Sequence, residues 1–269
     1  MTTTRLLWTG GWDSTFRLLC LLIQHRRSVT PYYLLRGKRP STPIEIDTMA
    51  RIRDTLVDQY PHTRALLQPT VFCDVADLSP DTTISDAYER TLRNTFLGRQ
   101  YEWLAWFCTQ QGIDEIELCI HRDDKAHAVL EPFVVEREEG GSRTWRLDAE
   151  RVMQAENAAD LQILFQHFAF PLFETTKLQM ASQAQNQGWQ SVMAMTWFCH
   201  NPLRNGRPCG CCHPCLYTIE EGLGHRLPRW SRTRSAIYRK CLLPIKAPVV
   251  AMLETVPPVR RALERRRAR

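Results

Sequence analysis

Residues 8–17 read Trp-Thr-Gly-Gly-Trp-Asp-Ser-Thr-Phe-Arg, and the reading of this stretch decides the fold. The short apolar run from Arg5 to Trp8 before it has the character of a buried strand. Behind it, Phe16, Leu19, Cys20 and Ile23 recur at spacings of three and four, the period of an amphipathic helix. The stretch is a glycine turn between the two. The first N–H groups of a helix have no partner inside it and sit at the positive end of its dipole, which suits an anion. Gly10 and Gly11 let the backbone approach such an anion with no Cβ in the way. Thr9, Ser14 and Thr15 add hydroxyl donors. Asp13 cannot donate when ionised, so its expected task is to hold Mg²⁺ or to fix the loop. The pattern is neither a Walker A loop nor G-x-G-x-x-G. The plain alternative is a Gly-Gly turn with no ligand.

Working outward, Pro31–Leu35 reads as a second strand and residues 66–75 as the place of a third. A helix lies between them, with Ile46, Met49, Arg53, Val57 and Tyr60 on or near one face. A helical region from Ser85 to Gln111 is interrupted near Gly98, and Ile113–Ile120 reads as a fourth strand. Glu136–Arg146 reads as an exposed hairpin or insertion, and Asp148–Phe168 as one helix. Thr175 or Thr176 is placed to cap another helix that runs to about Gln187. Strands alternating with helices predict an α/β fold, an open, mostly parallel, doubly wound sheet with helices on both faces.

A chain of 269 residues, 43% hydrophobic and 24% charged, has the composition of a globular protein with a real core. The balance of 35 basic against 29 acidic side chains gives a net charge of +6, which is compatible with anionic ligands and does not demand nucleic acid. The apolar run Leu18–Ile23 is far too short to span a bilayer, and the N-terminus has no secretory signal character. The expected location is therefore the cytoplasm. Residues 199–215, CHNPLRNGRPCGCCHPC, hold five cysteines. Cys209, Cys212 and Cys215 are spaced C-x₂-C-x₂-C, and Cys199 can supply a fourth sulfur after the loop closes, a set suited to one tetrahedral ion. Cys211 is then spare, with His200 and His213 as substitutes. Four thiolates favour zinc in a structural site. The other cysteines, at 20, 73, 108, 119 and 241, read as packing residues.

Residues 9–15, Thr-Gly-Gly-Trp-Asp-Ser-Thr, resemble the S-G-G-x-D-S-[ST] pyrophosphate loop of the N-type ATP pyrophosphatases. Together with the cysteine spacing, they resemble the 7-cyano-7-deazaguanine synthase family. Asn94-Thr95-Phe96 with Gly98-Arg99, Gly37-Lys38-Arg39 with Glu45, and Phe170-Pro171-Leu172 with Lys177 extend the likeness over about residues 5–222. The resemblance implies an adenine nucleotide alpha hydrolase-like fold with a C-terminal zinc knuckle. It divides the chain into 1–195 for the ATP domain, 196–225 for the knuckle and 226–269 for a helical, basic extension.

It further implies ATP, Mg²⁺ and Zn²⁺ as cofactors and a deazapurine acid as substrate. The acid is adenylated with release of pyrophosphate, then captured by ammonia to give an amide and a nitrile. Trp8, Thr9, Gly10, Gly11, Trp12, Asp13, Ser14, Thr15 and Arg39 would hold the nucleotide. Asp13, Ser14, Lys177 and Arg99 would carry the chemistry, and Cys199, Cys209, Cys212 and Cys215 the metal. The chain departs from the family where Leu35-Arg36 replaces an acidic-aromatic pair, and where His121-Arg122-Asp123-Asp124-Lys125 replaces an acidic segment. Those departures open a second expectation, transfer of the acyl group to an amine of a partner protein. A tRNA-modifying activity is a further alternative, supported mainly by the arginines of 260–269. Nucleic acid is otherwise not an expected partner, and neither is a membrane. A homodimer is compatible with the sequence.

Overall fold

The structure, a computed structural model, describes residues 3–139, 141–155 and 158–245. The arginine-rich stretch 260–269 and the part of the expected extension beyond residue 245 lie outside the described residues. The chain divides into two compact units, Met1–Phe198 and Cys199–Arg269.

Seven strands occur among the described residues of the first unit. They are β1 (Thr4–Leu7), β2 (Val29–Leu35), β3 (Val71–Asp74), β4 (Ile116–Glu117), β5 (Val134–Glu139), β6 (Ser142–Leu147) and β7 (Phe168–Ala169). Five of them form a sheet in the order β3-β2-β1-β4-β7, every neighbouring pair parallel. The chain builds one half outward from β1 through β2 to β3, then returns to the other side of β1 for β4 and β7. The order therefore reverses between β1 and β4. In open α/β sheets a ligand crevice lies at that reversal, beyond the carboxyl ends of the strands.

Alternation along the strands sends successive side chains to opposite faces. Leu7, Leu34 and Ile116 enter one buried cluster with Ala87, Tyr88, Tyr101, Leu104, Phe107, Leu164 and Phe165. That layer consists of the helices Thr82–Asn94, Gln100–Gln110 and Ala159–Phe165. On the other face pack the helices Trp12–Leu19, Thr42–Gln59, Lys177–Asn186 and Gln190–Met195. The sheet is thus wound on both sides, as the alternating pattern predicts.

Several expectations are corrected. In the helix Thr42–Gln59 the buried positions are Glu45, Thr48, Met49, Ile52 and Leu56, while Ile46 faces outward. An inward-facing carboxylate at Glu45, tied to Tyr33 and Arg39, turned the face away from the apolar count. The fourth strand shrinks to two residues. The single helix expected over 148–168 becomes two, Ala149–Gln154 and Ala159–Phe165, followed by the strand β7. A two-residue strand has no period to detect. β5 and β6 form the predicted hairpin, but it is anchored, with Ser142 and Thr144 buried and Trp145 bridged to Phe170. Cys20 and Cys108 are buried, and burial pushes both thiols up to about 12, whereas Cys241 is exposed and is no packing residue.

A buried ion pair joins the first helix to β4. Arg17 Nε and Nη2 donate to Glu117 Oε2 and Oε1 at 2.8 and 2.6 Å, and Nη1 donates to Ser142 Oγ at 2.9 Å. Both side chains are about 95% buried, at 4% and 5% exposure. Burial works against the charged guanidinium, but its bonds and charge contact with Glu117 outweigh it and raise its pKa.

In the second unit the cysteine knuckle is followed by the helices His213–Glu220 and Arg229–Ile237. Gly210 has φ +79°, and a Cβ there would stand 2.2 Å from the Ser231 carbonyl oxygen. Ser231 Oγ donates to the Pro208 carbonyl at 2.6 Å. Only glycine allows the helix to seat this closely on the knuckle.

Replacing Arg17 by Ala strands a buried carboxylate, which is expected to cost about 3–5 kcal/mol in urea unfolding. The Arg17→Met/Glu117→Met pair should recover most of that loss, since no charge is then left unmatched.

Candidate functional site

The glycine turn lies at the carboxyl end of β1, beside the reversal in strand order. Gly10 has φ +68°, and a Cβ on it would meet Met49 Cγ at 3.2 Å, Thr48 Cγ2 at 3.3 Å and the Glu45 carbonyl oxygen at 3.4 Å. The left-handed backbone and the packing both require glycine. Trp197 donates its N–H to the Gly10 carbonyl at 3.0 Å, which fixes the outer side of the turn. Gly11 is the N-cap of the helix Trp12–Leu19 and supplies no side-chain cap. Thr15 N–H is bonded to the Gly11 carbonyl at 3.1 Å. The N–H groups of residues 13 and 14 are therefore helix-end donors that an anion can meet.

The side chains of the expected loop divide by direction. Trp8 and Thr15 are wholly buried, and Trp8 Nε1 donates to Thr15 Oγ1 at 3.0 Å, so both brace the turn from within. Trp12 and Ser14 are also buried. Thr9 is exposed, and Gly11 and Asp13 are half-buried, so these three form the open edge of the turn.

Asp13 Oδ2 lies 3.7 Å from Lys177 Nζ and 3.9 Å from His121 Nε2. Lys177 is the first residue of a helix that begins at a capping box. Thr176 Oγ1 accepts from Gln179 N–H, and Gln179 Oε1 accepts from Thr176 N–H. Lys177 N–H donates to Asp123 Oδ2 at 3.1 Å. Asp123 N–H donates to His121 Nδ1 at 3.2 Å, which makes Nδ1 the acceptor and directs the proton of the neutral ring to Nε2, toward Asp13. Residues 13, 121, 123 and 177 thus converge from three segments. Asp13 Oδ1 is buried and has no hydrogen-bond partner among the described residues. A carboxylate oxygen left without a hydrogen bond at a helix start is a group that a divalent cation can satisfy.

His121 and Asp123 were not among the expected site residues. The signal available was the position of 121–125 just after the fourth strand. Arg39 and Arg99 belong to a different group. Arg39 Nη2 donates to Glu45 Oε2 at 2.7 Å, and Tyr33 Oη donates to the same oxygen at 2.5 Å. Burial and that bond push Tyr33 up to about 12. Arg99 Nε lies 3.4 Å from Glu102 Oε2.

In the second unit, Cys199, Cys209, Cys212 and Cys215 bring four sulfurs within 4.8 Å of one another. Cys212 Sγ stands 3.8 Å from Cys199 Sγ and 3.4 Å from Cys215 Sγ, and Cys209 Sγ is 3.9 Å from Cys215 Sγ. The neighbouring thiols of Cys199 and then Cys215 lower the Cys212 pKa. The N–H groups of residues 209, 211 and 212 point at sulfur, at 3.2–3.4 Å. Such donors stabilise the thiolates that a metal needs. Cys211 lies outside the set, its Sγ 4.0 Å from the Arg234 carbonyl.

No protein-family model matches the chain, and no curated protein matches it. Among solved structures the chain is similar to the U34-tRNA thiolase NcsA from Methanococcus maripaludis with its [4Fe-4S] cluster. The identity is 13% and the TM-score 0.42, over 88% of this chain and 71% of that one. No residue role is carried over from a likeness of this order. Among the described residues, no helix is long and apolar enough to cross a membrane.

Gly10→Ala is expected to cost about 1–2 kcal/mol in stability, the order of the left-handed penalty, read in urea unfolding. Elemental analysis of the purified protein tests whether the four sulfurs hold a metal, and Cys209→Ser and Cys212→Ser should each then lower its content.

Proposed function

We propose that this chain is an ATP-dependent adenylating enzyme of the pyrophosphate-loop type. Its substrate in this reading is a 7-carboxy-7-deazaguanine-like acid, and the product of ammonia capture an amide and then a nitrile, as in 7-cyano-7-deazaguanine synthase. One observation carries the reading. The uncapped helix end at residues 11–14 meets Asp13 and Lys177 where the strand order of a doubly wound sheet reverses.

The chemistry follows from charge. A carboxylate oxygen attacks the α-phosphorus, the bond from phosphorus to the β-bridging oxygen breaks, and pyrophosphate leaves with that electron pair. Negative charge grows on the leaving group, so preorganised donors there lower the barrier. The N–H groups of residues 13 and 14, with Thr9, receive the pyrophosphate. Lys177, held against Asp13 at the head of its own helix, supplies a cation that needs no rearrangement. Mg²⁺, held at Asp13 Oδ1, would add further charge neutralisation. Ammonia then attacks the acyl carbon, AMP departs, and the amine proton passes to solvent. Dehydration of the amide by a second ATP repeats the activation, with the amide oxygen leaving on AMP. Zinc is the metal assigned to the four cysteines. Their sulfur separations approach the roughly 3.8 Å edge of a tetrahedron with 2.3 Å Zn–S bonds, and no position is left open for catalysis.

A second reading keeps the adenylation and changes the acceptor to an amine of a partner protein. Its support is His121, which stands against Asp13 in the segment that departs from the resembled family. The test is ATP–pyrophosphate exchange with 7-carboxy-7-deazaguanine, followed by mass analysis of the product. Asp13→Asn and Lys177→Ala should each lower kcat/KM by about 10²–10³, the usual loss for one charge-stabilising group. Nitrile formation with ammonia supports the first reading and amide alone the second. Absence of exchange in the wild-type protein sinks both.

A further inference from the structure

The net charge of +6, too small by itself to call for nucleic acid, hides a division between the two units. Residues 1–198 hold 20 basic and 25 acidic side chains, whereas residues 199–269 hold 15 basic and four acidic. The excess is already present in residues 199–245, where eight basic side chains stand against Glu220 and Glu221. Glu220 is paired with Arg239. Among the described residues, Arg207, Arg229, Arg232 and Lys240 are exposed and have no acidic partner. Charge of one sign on a small unit repels itself, and a polyanion relieves that repulsion.

These cations share a surface on a fixed seat. In the helix Arg229–Ile237, Ser231 and Ser235 lie one turn apart and are buried, which defines the inner face. Arg229, Trp230, Arg232, Thr233 and Ile237 are exposed. Ser231 Oγ donates to the Pro208 carbonyl at 2.6 Å. Arg207 precedes Pro208 and Arg232 follows Ser231, so this bond brings two exposed arginines from separate segments to neighbouring places on the backbone. Trp230 is 57% exposed, beside Arg229 in the chain and one helical turn before Arg234. Ile237, 53% exposed, continues the same face seven residues on. A second copy of the chain brings the same sign of charge to this face. So do residues 246–269, with seven basic and two acidic side chains. A bilayer surface takes a helix with a broad apolar face, whereas here one indole and one isoleucine stand among arginines. An unpaired nucleic-acid strand complements both parts, with phosphates for the guanidinium groups and base faces for the indole. A duplex keeps its base faces inside the stack.

We propose that the outer face of the helix Arg229–Ile237, together with Arg207, is a binding surface for single-stranded nucleic acid. Trp230 stacks on a base, and Arg207, Arg229 and Arg232 meet phosphates. The surface goes beyond the adenylation reading and needs only the second unit.

The test is fluorescence anisotropy of labelled oligo-U RNA and oligo-dT DNA, each of about 20 nucleotides, with the full-length chain over a series of salt concentrations. A duplex of the same length, polyglutamate, and vesicles of phosphatidylserine and phosphatidylcholine serve as competitors. Binding should weaken with salt, with a log–log slope of about −0.7 for each phosphate met. The double variant Arg229→Gln/Arg232→Gln should make that slope shallower by about 1.4. Trp230→Ala should weaken binding about 10- to 100-fold and leave the slope unchanged, since stacking releases no counterions. The duplex should compete poorly. Urea unfolding midpoints report that the variants are folded, and preference between RNA and DNA identifies the strand. No binding of either strand at about 50 mM salt overturns the inference. Polyglutamate or the vesicles competing as well as the unlabelled strand, with Trp230→Ala like wild type, assigns the surface to an acidic polypeptide or a membrane and also overturns it. Binding lost only on removal of residues 259–269, with the helix variants unchanged, has the same effect. ATP–pyrophosphate exchange, measured on the same protein, reports separately on the adenylation reading.

Discussion

The pair between Arg17 and Glu117 is the contact on which the site depends. Both residues are buried, and the two side chains meet in a two-point bond across 100 positions of sequence. Arg17 lies one helical turn below Asp13, and Glu117 lies four residues before His121. Joining the lower pair therefore sets the separation of the upper pair, in which Asp13 and His121 stand 3.9 Å apart. The clamp ties the helix that follows β1 to β4, and the order of strands reverses between those two strands. Ser142 adds a third contact, so the hairpin of β5 and β6 is tied to the same guanidinium. A planar, always charged group with a fixed fork suits this task, since each bond it makes restricts the orientation of the helix that carries it.

Above the clamp, the polar groups sort by role. Inward-facing side chains of the turn hold its shape, with Trp8 bonded to Thr15 and Gly10 packed on Met49 and Glu45. The N–H groups of residues 13 and 14 and the buried Asp13 Oδ1 keep bonding capacity in reserve. A catalytic electrostatic site needs that division, because donors act on developing charge only if they do not have to reorganise. The knuckle follows the same logic in the second unit, where backbone N–H groups aim at sulfurs before any ion is considered.

Much of the fold could be read from local pattern. The strand, glycine turn and helix at the start, the break at Gly98, the hairpin and the Thr176 cap all depend on contacts within a few residues. The misreadings share one cause. β7 and the shortened β4 are defined by pairing partners rather than by their own period. The buried face of the helix Thr42–Gln59 was misjudged because Glu45 is inside, and a carboxylate is assigned inward only when its partners Arg39 and Tyr33 are known. At the candidate site, Asp13 and Lys177 can be singled out from sequence, whereas His121 and Asp123 stand only in an unusual segment. Their part emerges from a chain of contacts running 123 to 121 to 13 to 177.

The sequence by itself determined the alternating α/β order, the glycine turn that frees helix-end N–H groups, and a cysteine spacing that closes on one point. Each is set by backbone geometry over short distances. Tertiary structure alone decided where the strand order reverses, which carboxylates go inside, and which cations meet. Those outcomes depend on charges brought together across about 100 residues, where burial strengthens every interaction and no local pattern records the partner.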